Sequence, residues 1–195
     1  MRPVVVRARA AAVRVVPKRG DIASWHREAF KDVVPLDYYA GSFRQHDEKR
    51  PCLGIDVGVA GVAGFSFVLV LDAMNHLCRF IETQLASLEL RWTELEGEKR
   101  MQRLAQIVGV AVGRFIHVHP FINGNGRLSR LLWSVLLARL GLPAKLSVIR
   151  RPGPPYDEVM AFAMRGDYGP AVELVLRALS EGPMPPSQLP LPKSP

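Results

Sequence analysis

The chemistry-bearing residues of this chain are concentrated in one run, His119-Pro-Phe-Ile-Asn-Gly-Asn-Gly-Arg-Leu-Ser-Arg130. A glycine-rich polar loop here leads into an apolar helix pattern, and such a helix start is an anion site: its first N–H groups have no partner inside the helix and carry the positive end of the helix dipole. Gly124 and Gly126 leave that backbone uncovered to phosphate, and Asn125 offers an amide donor. Arg127 and Arg130, three residues apart, share a helix face and can fork onto further phosphate oxygens. Without an anion these two cations would oppose the dipole, which argues against a merely solvated face. At the other end of the run stands His119, whose imidazole titrates near neutrality and can take the proton of an attacking hydroxyl. Base and phosphate cradle together spell transfer of a phosphorus-centred group. Alone, His119 would read as structural, and His117 with His119 makes a poor metal pair because no third Cys, Asp or Glu stands nearby.

The elements that position this run follow from apolar periodicity. Asp21 or Ser24 can cap a short helix through Phe30 and Lys31, ended by Pro35, with a loop over 37–44. Between Pro51 and Gly64 the glycines at 54, 58, 61 and 64 punctuate Ile55, Val57, Val59 and Val62, the pattern of a short exposed hairpin. Helices are predicted over 65–88, 96–117 and from the glycines to Leu140, the last stopped by Gly141 and Pro143. Two more follow at 156–165 and 169–179. The expected fold is therefore mainly α with a β-hairpin.

With 195 residues and 48% apolar content the chain suits one domain, expected over 21–181. Six of its cations, Arg2, Arg7, Arg9, Arg14, Lys18 and Arg19, fall in the first twenty residues without an acid, so 1–20 reads as a flexible basic leader and 182–195 as a Pro-rich disordered tail. The net charge of +8 is thus mainly terminal and does not make the chain a nucleic-acid binder. The arginines interrupt any signal-peptide core but are compatible with an organelle transit sequence. No stretch reads as a membrane span, and Cys52 and Cys78 lack metal or redox spacing, so a reducing cytoplasm is the expected setting.

The run at 119–130 resembles the signature of the Fic family, histidine-any-phenylalanine-any-acid-Gly-Asn-Gly-Arg-any-any-Arg, at every fixed position but one. Trp25-His26 through Phe30, Tyr39-Ala-Gly-Ser-Phe-Arg44 and Ala163-Met-Arg-Gly-Asp-Tyr168 are similar to further stretches of the family, so the likeness runs from about Ile22 to Leu179. The resemblance implies a Fic-type helical bundle that moves AMP from ATP, with Mg²⁺, onto a Ser, Thr or Tyr hydroxyl of a target protein. It implies His119 as base and Phe121 as the loop's anchor. Gly124, Asn125, Gly126, Arg127 and Arg130 become the nucleotide site, and Gly54, Ile55, Val57, Gly58, Gly61 and Gly64 the target-binding flap.

Asn123 is the departure, standing where AMP-transferring members usually carry the acid that holds Mg²⁺. It implies weaker metal use, changed nucleotide chemistry such as phosphate transfer or another nucleotide, attenuated turnover, or a nucleotide-binding regulator without turnover. The family's restraining motif, Ser/Thr-any-any-any-Glu-Gly/Asn, has no clean match: Trp92 stands at the hydroxyl position before Glu96-Gly97, and Arg177 before Glu181-Gly182. Restraint by a separate small antitoxin is the corresponding expectation.

Overall fold

The computed structural model describes residues 1–59, 61–143, 148, 150 and 152–181. The expected tail over 182–195 lies outside the described residues. Among the described residues seven α-helices run in the order α1 Arg2–Ala12, α2 Arg19–Phe30, α3 Val70–Leu90, α4 Gly97–Val118, α5 Asn125–Arg139, α6 Tyr156–Met164 and α7 Gly169–Ser180. Between α2 and α3 lies one antiparallel hairpin, β1 Gly58–Val59 and β2 Val62–Ala63, with Gly58 opposite Ala63 and Val59 opposite Val62. The mainly helical reading holds, with element ends moved by a few residues.

Helix α4 is the axis of the bundle and packs against α3, α5, α6 and α7. Its stripe of Leu104, Ile107, Val108, Ala111, Val112 and Phe115 is fully buried. Gly109 lets α7 approach to backbone contact, since a Cβ there would come within 2.5 Å of Val172 Cα. That approach presses the Tyr168 ring against Gly113 and sets the Tyr168 hydroxyl 2.9 Å from His117 Nδ1, close to where α4 ends.

Residues 2–12 differ from the expected flexible leader. From Leu128 to Arg139 every side chain of α5 is buried, and a helix apolar on all sides must be covered on all sides. Helix α1 supplies that cover with Val4, Ala8 and Ala12, small residues at four-residue steps on one face. Its charge is used locally: Arg9 donates to the Ser134 carbonyl at 2.8 Å, the Ser134 hydroxyl at 2.7 Å and the Leu142 carbonyl at 3.2 Å, while Arg7 pairs with Glu28. Arg139 answers from α5, forking onto Glu89 at 2.9 and 3.2 Å and reaching the Val13 carbonyl at 3.0 Å. Spacing along the chain does not show this packing, because the buried face of α1 is Val4, Ala8 and Ala12 and its partner lies more than 120 residues away. Among the described residues no helix is long and apolar enough to cross a membrane.

Candidate active site

Helix α4 ends because Pro120 excludes right-handed helical backbone from its predecessor. His119 takes left-handed backbone instead, φ 49° and ψ 59°, and caps α4 by donating its N–H to the Phe115 carbonyl at 3.1 Å. The turn points its ring into a cavity of about 710 Å³, whose wall also carries Asn123, Gly124, Asn125, Gly126, Arg127 and Arg130. The candidate base and the whole candidate anion loop therefore face one space.

His119 Nδ1 lies 3.3 Å from the Ile116 carbonyl. A carbonyl can only accept, so this contact places the ring proton on Nδ1 and leaves the lone pair on Nε2. Burial pushes the His119 pKa below its ordinary value, the Ile116 contact opposes that shift, and the Arg44 guanidinium adds to it. The ring is accordingly neutral at pH 7, as a base must be.

The loop after His119 is anchored by Phe121, which is fully buried and stacks on His26 at 3.9 Å between ring centres. His26 was not singled out as a site residue in the sequence, yet it ties three segments together. Its Nδ1 accepts the Gly41 N–H at 2.9 Å, so the proton resides on Nε2, which donates to the Asn123 carbonyl at 3.0 Å. The only sequence signal was its place in Trp25-His26 through Phe30; its partners, up to 97 residues away, were invisible.

Asn125 needs a correction. Its side chain was expected to donate to phosphate, but it is buried and closed on the loop: its Oδ1 accepts the Phe121 N–H at 3.0 Å and its Nδ2 donates to the Phe121 carbonyl at 2.8 Å. The two bonds satisfy backbone groups that would otherwise be buried unpaired, so only the backbone N–H of Asn125 remains to meet an anion. Gly124 precedes the helix at φ 79°, and a Cβ there would also meet the Phe30 ring at 2.7 Å. Its glycine serves conformation and packing. At Gly126 a Cβ would find its nearest neighbour, Arg130 Nη1, at an ordinary 3.6 Å, so openness toward a ligand is the feature left to that position.

The two arginines diverge. Arg127 is exposed, with its guanidinium 5.7 Å from the Phe30 ring centre on the α2 wall. Arg130 is buried, 5.7 Å from the Tyr156 ring centre on the α6 wall, and donates to the Val148 carbonyl at 3.3 Å. They flank the cavity and do not form one stripe. Tyr156, a second residue the sequence did not mark, also holds the helix start, its hydroxyl 3.1 Å from Ser129 Oγ, which donates to the Gly126 carbonyl at 2.9 Å.

Of the expected flap, only 58–59 and 62–63 pair as strands. Gly61 lies in the turn between them, and Gly54, Ile55 and Val57 form the approach, where the Val57 carbonyl accepts the Gly64 N–H at 2.9 Å. Val59 reaches the cavity wall, and Gly64 backs onto the candidate base, since a Cβ at 64 would stand 3.2 Å from His119 Cβ and 3.3 Å from the His117 carbonyl. The variant Gly64→Ala is expected to displace the ring by a few tenths of an ångström. Any reaction that passes a proton to His119 would slow by about tenfold, with the urea midpoint close to wild type; equal rates measured side by side would show that the contact is slack.

Mg²⁺ prefers several hard, preferably anionic oxygens. At position 123 the structure offers one neutral amide oxygen, which already accepts the Gly124 N–H at 2.6 Å. Among the described residues no group of three His, Cys, Asp or Glu could hold a metal, and Asp157 on α6 is the carboxylate of the cavity wall. Position 123 therefore gives Mg²⁺ at most one neutral oxygen, and an ion carried in by a nucleotide would be held chiefly by phosphate and water. His117 and His119 have separate partners, Tyr168 and Ile116, and form no metal pair.

Comparison with known proteins agrees with this architecture. The protein adenylyltransferase Fic of Drosophila ananassae is 34% identical over 85 residues, which are 44% of this chain and 17% of that protein. Its counterpart in Drosophila grimshawi is 39% identical over 62 residues, 32% of this chain and 13% of that protein. The chain thus matches less than a fifth of the length of these relatives. In fold it is similar to the BepC protein, a VirB-translocated effector of Bartonella tribocorum solved with bound AMPPNP, with a TM-score of 0.56 at 16% identity over 91% of this chain and 83% of that one. A Fic domain containing signaling protein from Bacteroides thetaiotaomicron gives a TM-score of 0.59 at 17% identity, over 91% and 67%. Residues 17–137, well over half of the chain and ending within α5, match the Fic/DOC family. The signature loop, the bundle that carries it and this match agree, and the chain belongs to the Fic/DOC family.

Proposed function

We propose that this chain transfers AMP from ATP to a Ser, Thr or Tyr hydroxyl of a target protein. The observation that carries the reading is an imidazole whose Nδ1 meets the Ile116 carbonyl and whose Nε2 has no partner among the described residues, facing the same cavity as the N-terminus of α5. The hydroxyl proton passes to His119 Nε2 as the oxygen attacks the α-phosphorus, the bond to the β-phosphate oxygen breaks, and pyrophosphate leaves. Charge gathering on the phosphates is met by the N–H groups of the α5 start and by Arg127 and Arg130, groups already in place before reaction. The hairpin offers a short edge on which a target chain can pair, presenting its hydroxyl to His119.

The adenylyltransferase name of the Drosophila relatives supports AMP as the group moved. Asn123 favours a second reading, transfer of phosphate or of another nucleotide, because the charge usual at this position is missing. Mass spectrometry of target proteins incubated with each nucleotide separates these: an AMP adduct supports the first reading, a phosphate or other nucleotide adduct the second, and unmodified targets throughout would leave a nucleotide-binding regulator. The variant Asn123→Asp is expected to lower the Mg²⁺ concentration that half-saturates transfer by roughly tenfold; superimposed Mg²⁺ curves would show that residue 123 does not set metal use.

The remaining assignments belong to the same proposal. Restraint by a separate antitoxin-like protein reaching Arg130 belongs to this reading. A target protein with a reachable hydroxyl is the partner this reading requires, and the cytoplasm is its proposed setting.

A further inference from the structure

Arg44 takes no proton or phosphate in the chemistry above, yet its side chain is fully buried and its guanidinium donates to four backbone carbonyls. Its Nε donates to the His119 carbonyl at 2.8 Å and its Nη2 to the Val118 carbonyl at 3.0 Å, the last two carbonyls of the α4 end. The same guanidinium reaches the flap on both sides of the hairpin, Nη1 donating to the Ile55 carbonyl at 3.0 Å and Nη2 to the Phe65 carbonyl at 2.8 Å. The Arg44 backbone N–H adds a bond to the Pro120 carbonyl at 2.8 Å, and Asp56 Oδ1 lies 3.8 Å from Nη1.

We infer that Arg44 is the positioning residue that holds the target-binding flap and the His119 imidazole in one fixed register. The inference rests on the reading of His119 as base. It follows from what each end lacks: the carbonyls that close α4 have no intrahelical donor, and the Ile55 and Phe65 carbonyls lie outside the hairpin's own strand pairing. A cation at a helix C-terminus is also favoured by the dipole. One planar fork with five N–H groups can serve four carbonyls arriving from two directions, which the three donors of a single lysine nitrogen cannot do. Gly64 against the His119 side chain and the Phe65 N–H on the His117 carbonyl at 3.3 Å close the same unit from the flap side. A target chain paired to the hairpin is thereby aligned with Nε2 before any reaction occurs.

The test compares wild type with Arg44→Lys and Arg44→Met. In Arg44→Lys the turnover of target is expected to fall about 100-fold, with the calorimetric Kd for the non-hydrolysable ATP analogue AMPPNP within threefold of wild type, because the α5 start is untouched. In Arg44→Met, loss of the cation is expected to raise the His119 pKa in an NMR titration. A kcat within threefold of wild type in Arg44→Lys, a parallel loss of turnover and nucleotide affinity, or an unmoved His119 titration would each overturn the assignment. If wild type transfers nothing from any nucleotide, the reading of activity fails, and the His119 titration together with amide exchange in the flap still decides the role of Arg44. Should both variants fail to fold, hydrogen exchange of the wild type decides: the Gly64, Phe65 and His119 amides are expected to open together, and flap opening with His119 still protected would overturn it.

Discussion

Replacing His119 by alanine is expected to slow transfer to a target hydroxyl by about 10²–10⁴-fold, while calorimetry finds nucleotide affinity near that of wild type. The separation follows from the layout of the cavity, where the base comes from the end of α4 and the phosphate cradle from the start of α5. Alanine has a second effect, because left-handed backbone is tolerated by His, Asn and Asp better than by alanine, which adds strain of up to about 1 kcal/mol at position 119. The variant His119→Asn separates the two, since asparagine tolerates that backbone but cannot take the proton. Equal loss of rate in both variants assigns the effect to the base. A loss confined to alanine would assign it to the shape of the loop, and a fall in affinity as large as the fall in rate would place His119 in nucleotide binding.

The second large effect is on stability against acid. Burial lowers the His26 pKa from 6.5 to about 4, against an opposing contribution from its bond to the Asn123 carbonyl. A depressed folded-state pKa means that the unfolded chain binds the extra proton first. The stabilising difference is complete above pH 6.5 and is lost as pH falls through 4, a total of about 3 kcal/mol. Protonation would also remove the acceptor of the Gly41 N–H and put a charge between Phe121 and Phe30. Urea unfolding of wild type and His26→Gln between pH 7 and pH 4 measures this. The stability difference between them is expected to shrink steadily across that window, while the other histidines and the carboxylates contribute equally to both and cancel. A difference that stays constant with pH would mean that His26 does not carry the proton linkage.

Several features were legible because their physics is local. The breaks at the Gly124 loop and at Gly141, the three-and-four spacing of the α3 and α4 stripes, and the bare helix start after the glycines are all properties of a dozen neighbouring residues. So was the hairpin, through its glycines and alternating β-branched residues, although its approach at 54–57 and its paired strands were not separable in advance. The chain order of His119, Asn123, Gly124, Gly126, Arg127 and Arg130 already named the candidate site.

What the chain alone left undetermined was every assignment whose partner is distant. Whether Asn125 donates to a ligand or closes its own loop depends on the burial of the Phe121 backbone. Whether residues 2–12 are solvated or packed depends on the uncovered side of α5, and whether Arg127 and Arg130 act from one face or two depends on Phe30 and Tyr156. By itself, then, the sequence determined the helical class, the breaks that make the loop and the residue types able to grip phosphate and accept a proton. Only the tertiary structure decided which of those polar groups stay available and which become struts such as His26 and Arg44. The reason is that a buried polar group must be satisfied by whatever the fold brings within about 3 Å, and spacing along a chain carries no record of that neighbour.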